Sequence, residues 1–166
     1  MNGGEDMKEP SSPVCSANEA DATYMGYASR EEIVTFLNVL LEAERAGARV
    51  TLATSVKAAQ RGVRALAIAI YRDEARWCSI LQDWVQRLDG VPSPEVGAFY
   101  DMAMAIADLP ARLAFLNKGQ EWVVRNLREM LPKIKDEALY RDLDAMLKAH
   151  ERNIEKVVSS GLATSP

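Results

Sequence analysis

The sequence has little of the side-chain chemistry on which most enzyme families depend. Its 166 residues include one histidine and two cysteines, Cys15 and Cys78, which stand more than 60 positions apart. Two such cysteines cannot form a disulfide scaffold or a four-cysteine zinc site, and a single histidine excludes most zinc patterns. Because there is no second histidine, Ser-His triads that rely on a further histidine as a spare base are excluded as well. Glycine-rich phosphate loops, nucleophile elbows and zinc-protease helices are missing as well.

A surplus of positive charge and a long apolar run are also missing. The chain carries 20 Lys and Arg against 24 Asp and Glu, a formal net charge of -4. Because DNA and RNA binding requires basic residues that neutralise phosphates, we expect no nucleic-acid partner. The richest apolar run, residues 63–71, is shorter than the roughly 18 residues of a membrane span. The acidic N-terminus does not resemble a signal peptide, so we expect a soluble, cytoplasmic protein with no membrane partner.

Apolar residues are plentiful, at 48% of the chain, which is enough for the core of one globular domain. Residues 1–28 are rich in Gly, Ser, Pro and acidic side chains without apolar periodicity, and this composition predicts a disordered N-terminal tail. Met25, near its end, is an alternative start to Met1. We predict the ordered domain over residues 29–159 and a flexible C-terminus over 160–166.

Four long segments show the three-four apolar spacing of amphipathic helices. Ser29, three residues before Glu32, predicts a capping box at the start of the first helix, which extends to about Lys57. The other three are predicted over about 63–88, 109–131 and 137–159.

The lengths of the connections predict how these helices are arranged. The first and third connections are short, so each joins an antiparallel pair, whereas the second has about 20 residues and includes a short predicted helix over 95–107. No strand-like alternation is present. The predicted fold is therefore all-α, an antiparallel four-helix bundle with one long crossover between helices two and three.

Each predicted helix carries a polar residue on its apolar stripe, near its middle. These residues are Glu44, Glu74, Gln120 or its neighbour Glu121, and His150. A charge on an apolar face is costly unless it is paired or bound to a metal. Because each residue lies near mid-helix, antiparallel packing brings the four to one level. The sequence thus predicts a convergent polar layer inside the core, and leaves open whether Gln120 or Glu121 faces it.

The segments around these residues resemble the ferritin-like superfamily, on its rubrerythrin and bacterioferritin side. They read LLEAERAG, YRDEARW, KGQEWVV and LKAHERNI, and the resemblance covers about residues 29–158. In that superfamily a di-iron centre is held by a Glu from each of two helices and a Glu-x-x-His from each of the other two. The resemblance implies Glu44, Glu74, Glu121 and His150 as metal ligands and one iron or manganese ion as the cofactor.

Two positions depart from the superfamily pattern. Trp77 stands where helix two should supply His, and Leu147 stands where helix four should supply Glu. We therefore expect that the di-iron site is incomplete and that the bundle acts as a scaffold or interaction protein, with the polar layer as a metal-free hydrogen-bonded network. One alternative is a residual metal-dependent oxidoreductase or an iron- or peroxide-handling stress protein. Another is a small-molecule pocket lined by Trp77.

Three further residues have simpler interpretations. Trp84 and Trp122 occur at helical spacing and are expected to pack in the core or at an interface, which makes a homodimer a reasonable expectation. Cys78, in a helix interior, is expected to behave as a small core hydrophobe.

Overall fold

The computed structural model describes residues 24–161. Within this range it contains five α-helices, which we number in chain order, and one short 3-10 helix. They are α1 (Arg30–Lys57), α2 (Arg61–Arg87), α3 (Phe99–Met104), α4 (Leu109–Met130), the 3-10 helix (Leu131–Lys133) and α5 (Glu137–Ser159). The expected N-terminal tail and flexible C-terminus lie for the most part outside the described residues.

Side-chain caps fix the beginnings of three of the long helices. At the start of α1, the Ser29 hydroxyl accepts a hydrogen bond from the Glu32 amide, and the Glu32 carboxylate accepts one from the Ser29 amide. Asp108 and Asp136 accept amide hydrogen bonds from the first turns of α4 and α5. Such bonds satisfy amides that have no partner within the helix. The predicted capping box of α1 is confirmed.

The four long helices form an antiparallel bundle. Residues 58–60 connect α1 to α2, and residues 131–136 connect α4 to α5, so each of these pairs is a helical hairpin. The much longer segment 88–108 joins the two hairpins. The predicted all-α fold, with its crossover between the second and third long helices, is confirmed. Nowhere in residues 24–161 is a helix long and apolar enough to cross a membrane.

The crossover follows the outer face of α1. Asn38 donates a hydrogen bond to the Val91 carbonyl at 3.1 Å and accepts one from the Ser93 amide at 2.8 Å. The Ser93 hydroxyl donates to the Glu42 carboxylate at 2.6 Å, and the Gly97 amide donates to the Glu42 carbonyl at 3.2 Å. These bonds hold residues 91–97 against α1.

The crossover helix α3 is consequently shorter than predicted. The sequence predicts a helix over 95–107, whereas α3 spans Phe99–Met104. Its N-cap Ala98 supplies no side-chain hydrogen bond, and the amide of the preceding Gly97 is bound to α1. Long-range hydrogen bonds thus replace the first helical turn that local propensity alone would favour.

The apolar core is divided into two clusters along the bundle axis. Along each long helix, the residues between the two clusters include one of the four polar residues on the apolar stripes. Representative buried members are Leu41, Leu81, Leu127 and Leu143 in one cluster, and Val50, Ile70, Leu116 and Val157 in the other. The polar layer therefore lies across the middle of the bundle.

Candidate functional site

Four polar side chains converge in the middle of the core, and we call them the polar layer: Glu44, Glu74, Gln120 and His150. Their relative exposures are 1%, 3%, 2% and 2% respectively. Each comes from a different long helix, as the stripe positions predict. Groups this deeply buried require partners, because an unpaired charge in the core is strongly destabilising.

Glu121, which the resemblance implied as a metal ligand, does not join the polar layer. Its side chain is exposed on α4, whereas Gln120 is buried in line with Leu116 and Val123. Neighbouring residues on an α-helix are about 100° apart, so only one of the two can point inward. The apolar stripe of α4 selects Gln120, which replaces Glu121 in the candidate set.

His150 and Glu44 form a buried pair between α5 and α1. His150 Nε2 lies 2.9 Å from Glu44 Oε1, and Nδ1 lies 3.0 Å from the Met146 carbonyl oxygen. Burial lowers the pKa of His150, but the charge and hydrogen bond of Glu44, with the Met146 carbonyl, outweigh it and raise the pKa overall. Both ring nitrogens face oxygen acceptors, which favours the protonated imidazole.

Glu74 and Gln120 form the second pair of the layer. Gln120 Nε2 donates to Glu74 Oε1 at 3.2 Å. Burial raises the pKa of Glu74 well above its usual 4.5, and the charges of Glu44 and Asp73 raise it further. The apolar surroundings of Glu74 therefore favour its protonated form.

Gly47 makes room for the Glu74 carboxyl group against α1. A Cβ atom at position 47 would lie 1.7 Å from Glu74 Oε2. A side chain of any size there would displace the carboxyl group from its place beside Gln120. The glycine thus fixes where Glu74 enters the layer.

The donor set of the polar layer does not fit a di-iron centre. Trp77 and Leu147 occupy the positions where the superfamily pattern needs His and Glu, and neither side chain can bind iron as those residues do. The Trp77 indole N–H is buried without a hydrogen-bond partner among the described residues, so this position presents a donor and no ligand atom. Within residues 24–161, no group of three or more His, Cys, Asp or Glu side chains is placed to hold a metal ion.

Beside the polar layer lies a pocket of about 410 Å³, which we call the crossover pocket. It is bounded by α1, α4 and the segment 97–102, and all four residues of the polar layer line it. Its apolar walls include Val39, Ala43, Phe99, Met102, Phe115 and Trp122. The Phe99 and Phe115 rings are stacked, with centroids 5.0 Å apart. The pocket therefore joins an apolar chamber to a polar floor.

The sequence does not indicate the crossover pocket, because its walls are separated by up to about eighty positions along the chain. Trp122 lines the pocket, whereas Trp77, which the small-molecule alternative had placed there, is packed in one apolar cluster. Trp84 is also buried, and its indole N–H donates to Asp142 at 2.7 Å. The homodimer stays a prediction.

Cys78 is a free thiol in a half-buried position on α2. Burial, followed by the charges of Glu44 and Glu74, raises its pKa to about 12.

Since the thiolate is the reactive form, we expect Cys78 to resist alkylation at pH 8. The measurement is mass spectrometry of a Cys15→Ser variant treated with iodoacetamide, first folded and then in guanidinium chloride. Modification only after unfolding is expected, and rapid modification of the folded chain would contradict the burial argument.

Comparisons with known proteins agree with this architecture. A family model described as a domain of unknown function (DUF6306) matches residues 31–159. Among solved structures, the chain is similar to one described as ferritin like, diiron-carboxylate proteins from Bacillus anthracis str. Ames. The TM-score is 0.71 at 13% sequence identity, covering 81% of this chain and 97% of that chain. No curated protein matches the sequence. At this identity the similarity establishes a ferritin-like fold.

Proposed function

We propose, from the premise that this chain belongs to the DUF6306 family and has a ferritin-like fold, that it acts as a binding or scaffold protein and not as a redox enzyme. The observation that carries the proposal is the pairing within the polar layer. His150 bonds to Glu44, and Gln120 bonds to Glu74. The side chains that would hold a metal are thus engaged with one another.

Protonation supports the same proposal. A carboxylate must lose its proton to bind a metal ion, and a histidine must free a ring nitrogen. Burial raises the pKa of Glu74 well above its usual 4.5, which favours its protonated form, and His150 Nε2 is hydrogen-bonded to Glu44 Oε1. Metal binding would therefore have to break the buried His150–Glu44 pair and overcome the burial that favours a protonated Glu74. Self-association, or association with a protein partner, belongs to this proposal.

A competing proposal is a residual metal-dependent oxidoreductase. Glu44, Glu74 and His150 would hold one iron or manganese ion, which would supply chemistry with oxygen or peroxide. One observation favours this proposal: Glu44 Oε2, a carboxylate oxygen of the kind that binds metal ions, has no hydrogen-bond partner among the described residues. The solved relative is also described as a diiron-carboxylate protein. The two proposals differ in whether metal is bound.

Elemental analysis of untagged protein separates them. We expect well below one metal ion per chain, both as purified without chelators and after aerobic addition of ferrous iron followed by desalting. A histidine tag must be absent because it would add ligands. Variants Glu74→Ala and His150→Ala should give the same low values as the parent chain.

Glu121→Ala serves as the matched control, since Glu121 is exposed on α4 and outside the layer. About one metal ion per chain that is lost in Glu74→Ala and His150→Ala but kept in Glu121→Ala would contradict the binding proposal. That result would make oxygen and peroxide the first substrates to assay.

A further inference from the structure

The crossover pocket has the dimensions of a small-molecule site. Its volume of about 410 Å³ falls within the usual range of ligand pockets. The chamber is lined by aliphatic and aromatic side chains, and two of them near its mouth, Val39 and Met102, are 43% and 54% exposed. Exposed apolar side chains at the edge of a concave surface are typical of a binding site. The walls thus suit a compact apolar body.

Two hydrogen-bond acceptor atoms on the floor of the pocket receive no hydrogen bond. Glu44 Oε2 and Gln120 Oε1 are buried, and neither has a hydrogen-bond partner within residues 24–161. Both side chains line the pocket and are at most 2% exposed. The ring nitrogens of His150 already face the Met146 carbonyl and Glu44 Oε1. A ligand with several N–H donors at one end would satisfy oxygens that otherwise stay unpaired.

The charges of the layer favour a cation over a neutral donor. Two carboxyl groups, Glu44 and Glu74, face one imidazole, so the layer has one positive charge fewer than it has carboxyl groups. At the pocket lining, Glu42 and Lys118 contribute one charge of each sign. A cationic head group on the floor would therefore meet a complementary environment.

We infer that the crossover pocket binds a primary amine with a compact apolar body. The ammonium group donates hydrogen bonds to Glu44 and Gln120, and the body packs against the aromatic walls. This inference rests on the proposed function, because a metal ion on the polar layer would occupy the same acceptor atoms.

Three probes of similar shape and different head groups test the inference by isothermal titration calorimetry. They are 2-phenylethylamine, 2-phenylethanol and 3-phenylpropionate, titrated into chelator-treated, untagged protein. We expect the amine to bind about tenfold or more tightly than the alcohol, as for a hydrogen bond to a charged group compared with a neutral one. The carboxylate should not bind over the same concentration range, because its charge would oppose that of Glu44.

Two variants and one control connect the affinity to the pocket. Glu44→Gln keeps an acceptor for His150 but removes the charge, and should weaken amine binding about tenfold while leaving the alcohol almost unaffected. Ala43→Leu fills the chamber without altering the polar layer and should abolish binding of both probes. Glu121→Gln, the same chemical change on the exposed side of α4, should bind like the parent chain.

Equal affinities for amine and alcohol, preference for the carboxylate, or amine binding unaffected by Ala43→Leu would each overturn the inference. If Glu44→Gln fails to fold by circular dichroism, the probe series and Ala43→Leu still decide. The metal content of the same preparation, measured before chelation, keeps the two proposals distinct. Stoichiometric metal contradicts the proposed function, whereas failure of metal-free protein to bind the amine contradicts this inference alone.

Discussion

Glu44→Leu is expected to lower the free energy of unfolding by about 3–5 kcal/mol, the usual cost of removing one partner of a buried charged pair. The variant leaves His150 with one ring nitrogen unpaired in the core, at a position that is 2% exposed. For a chain of this length the loss corresponds to a fall in Tm of about 10 °C. Thermal and urea denaturation followed by circular dichroism measure it.

His150→Leu should be similarly destabilising, because it leaves both carboxylate oxygens of Glu44 without a partner. The double variant Glu44→Leu/His150→Leu should recover most of the loss, since replacing a whole buried pair by apolar residues of similar volume is often neutral or stabilising. The coupling energy from this double-mutant cycle is the quantity of interest.

Glu121→Leu is the control for the cycle. Glu121 is exposed on α4, so its replacement should change stability by no more than about 0.5 kcal/mol. If Glu44→Leu costs no more than this control, the buried pair is not a determinant of stability. If the double variant loses the sum of the two single losses, Glu44 and His150 are not coupled.

The sequence predicts the bundle well because the relevant signals are local. The predicted capping box of Ser29 and Glu32 acts within one helical turn, and the structure has it. The apolar stripes have a fixed period, so a polar residue on a stripe is recognisable without knowing its neighbours. This is why the burial of Glu44, Glu74 and His150 could be anticipated.

The remaining features depend on contacts between distant segments. The apolar stripe of α4 passes through Gln120, with Glu121 beside it at the edge, and the packing of the whole bundle buries Gln120 and leaves Glu121 exposed. Similarly, Asn38 has no local signal that it will bind the crossover near Val91 and Ser93. The bond from the Gly97 amide to the Glu42 carbonyl, which keeps Gly97 out of α3, is equally long-range. Because Gly97 and Ala98 line the crossover pocket, the pocket could not be derived from periodicity.

The free energy of unfolding should also fall as the pH rises above about 5. Carboxylates paired at the surface have the opposite effect, because they make it rise with pH. Burial, with the charges of Glu44 and Asp73, raises the pKa of Glu74 well above its usual 4.5 in the folded chain. Between 4.5 and that raised pKa the folded state binds more protons than the unfolded state, so stability decreases with pH. The raised pKa of His150 acts in the same direction, with its contribution complete below about 6.5 and lost as pH rises through the folded value.

Glu74→Gln should remove the larger part of this pH dependence. The glutamine keeps an oxygen for Gln120 but has no proton to lose, so the variant should be more stable than the parent at pH 8 and converge with it near pH 5. Each unit of raised pKa is worth about 1.4 kcal/mol, or about 4 °C in Tm. Thermal denaturation between pH 5 and pH 9 measures the difference, with Glu121→Gln as a control that should follow the parent throughout.

A lower Tm for Glu74→Gln at pH 8, or an unchanged dependence of Tm on pH, would mean that Glu74 is ionised in the folded protein. The polar layer would then carry a net negative charge, and a bound cation would be needed to explain how the bundle tolerates it.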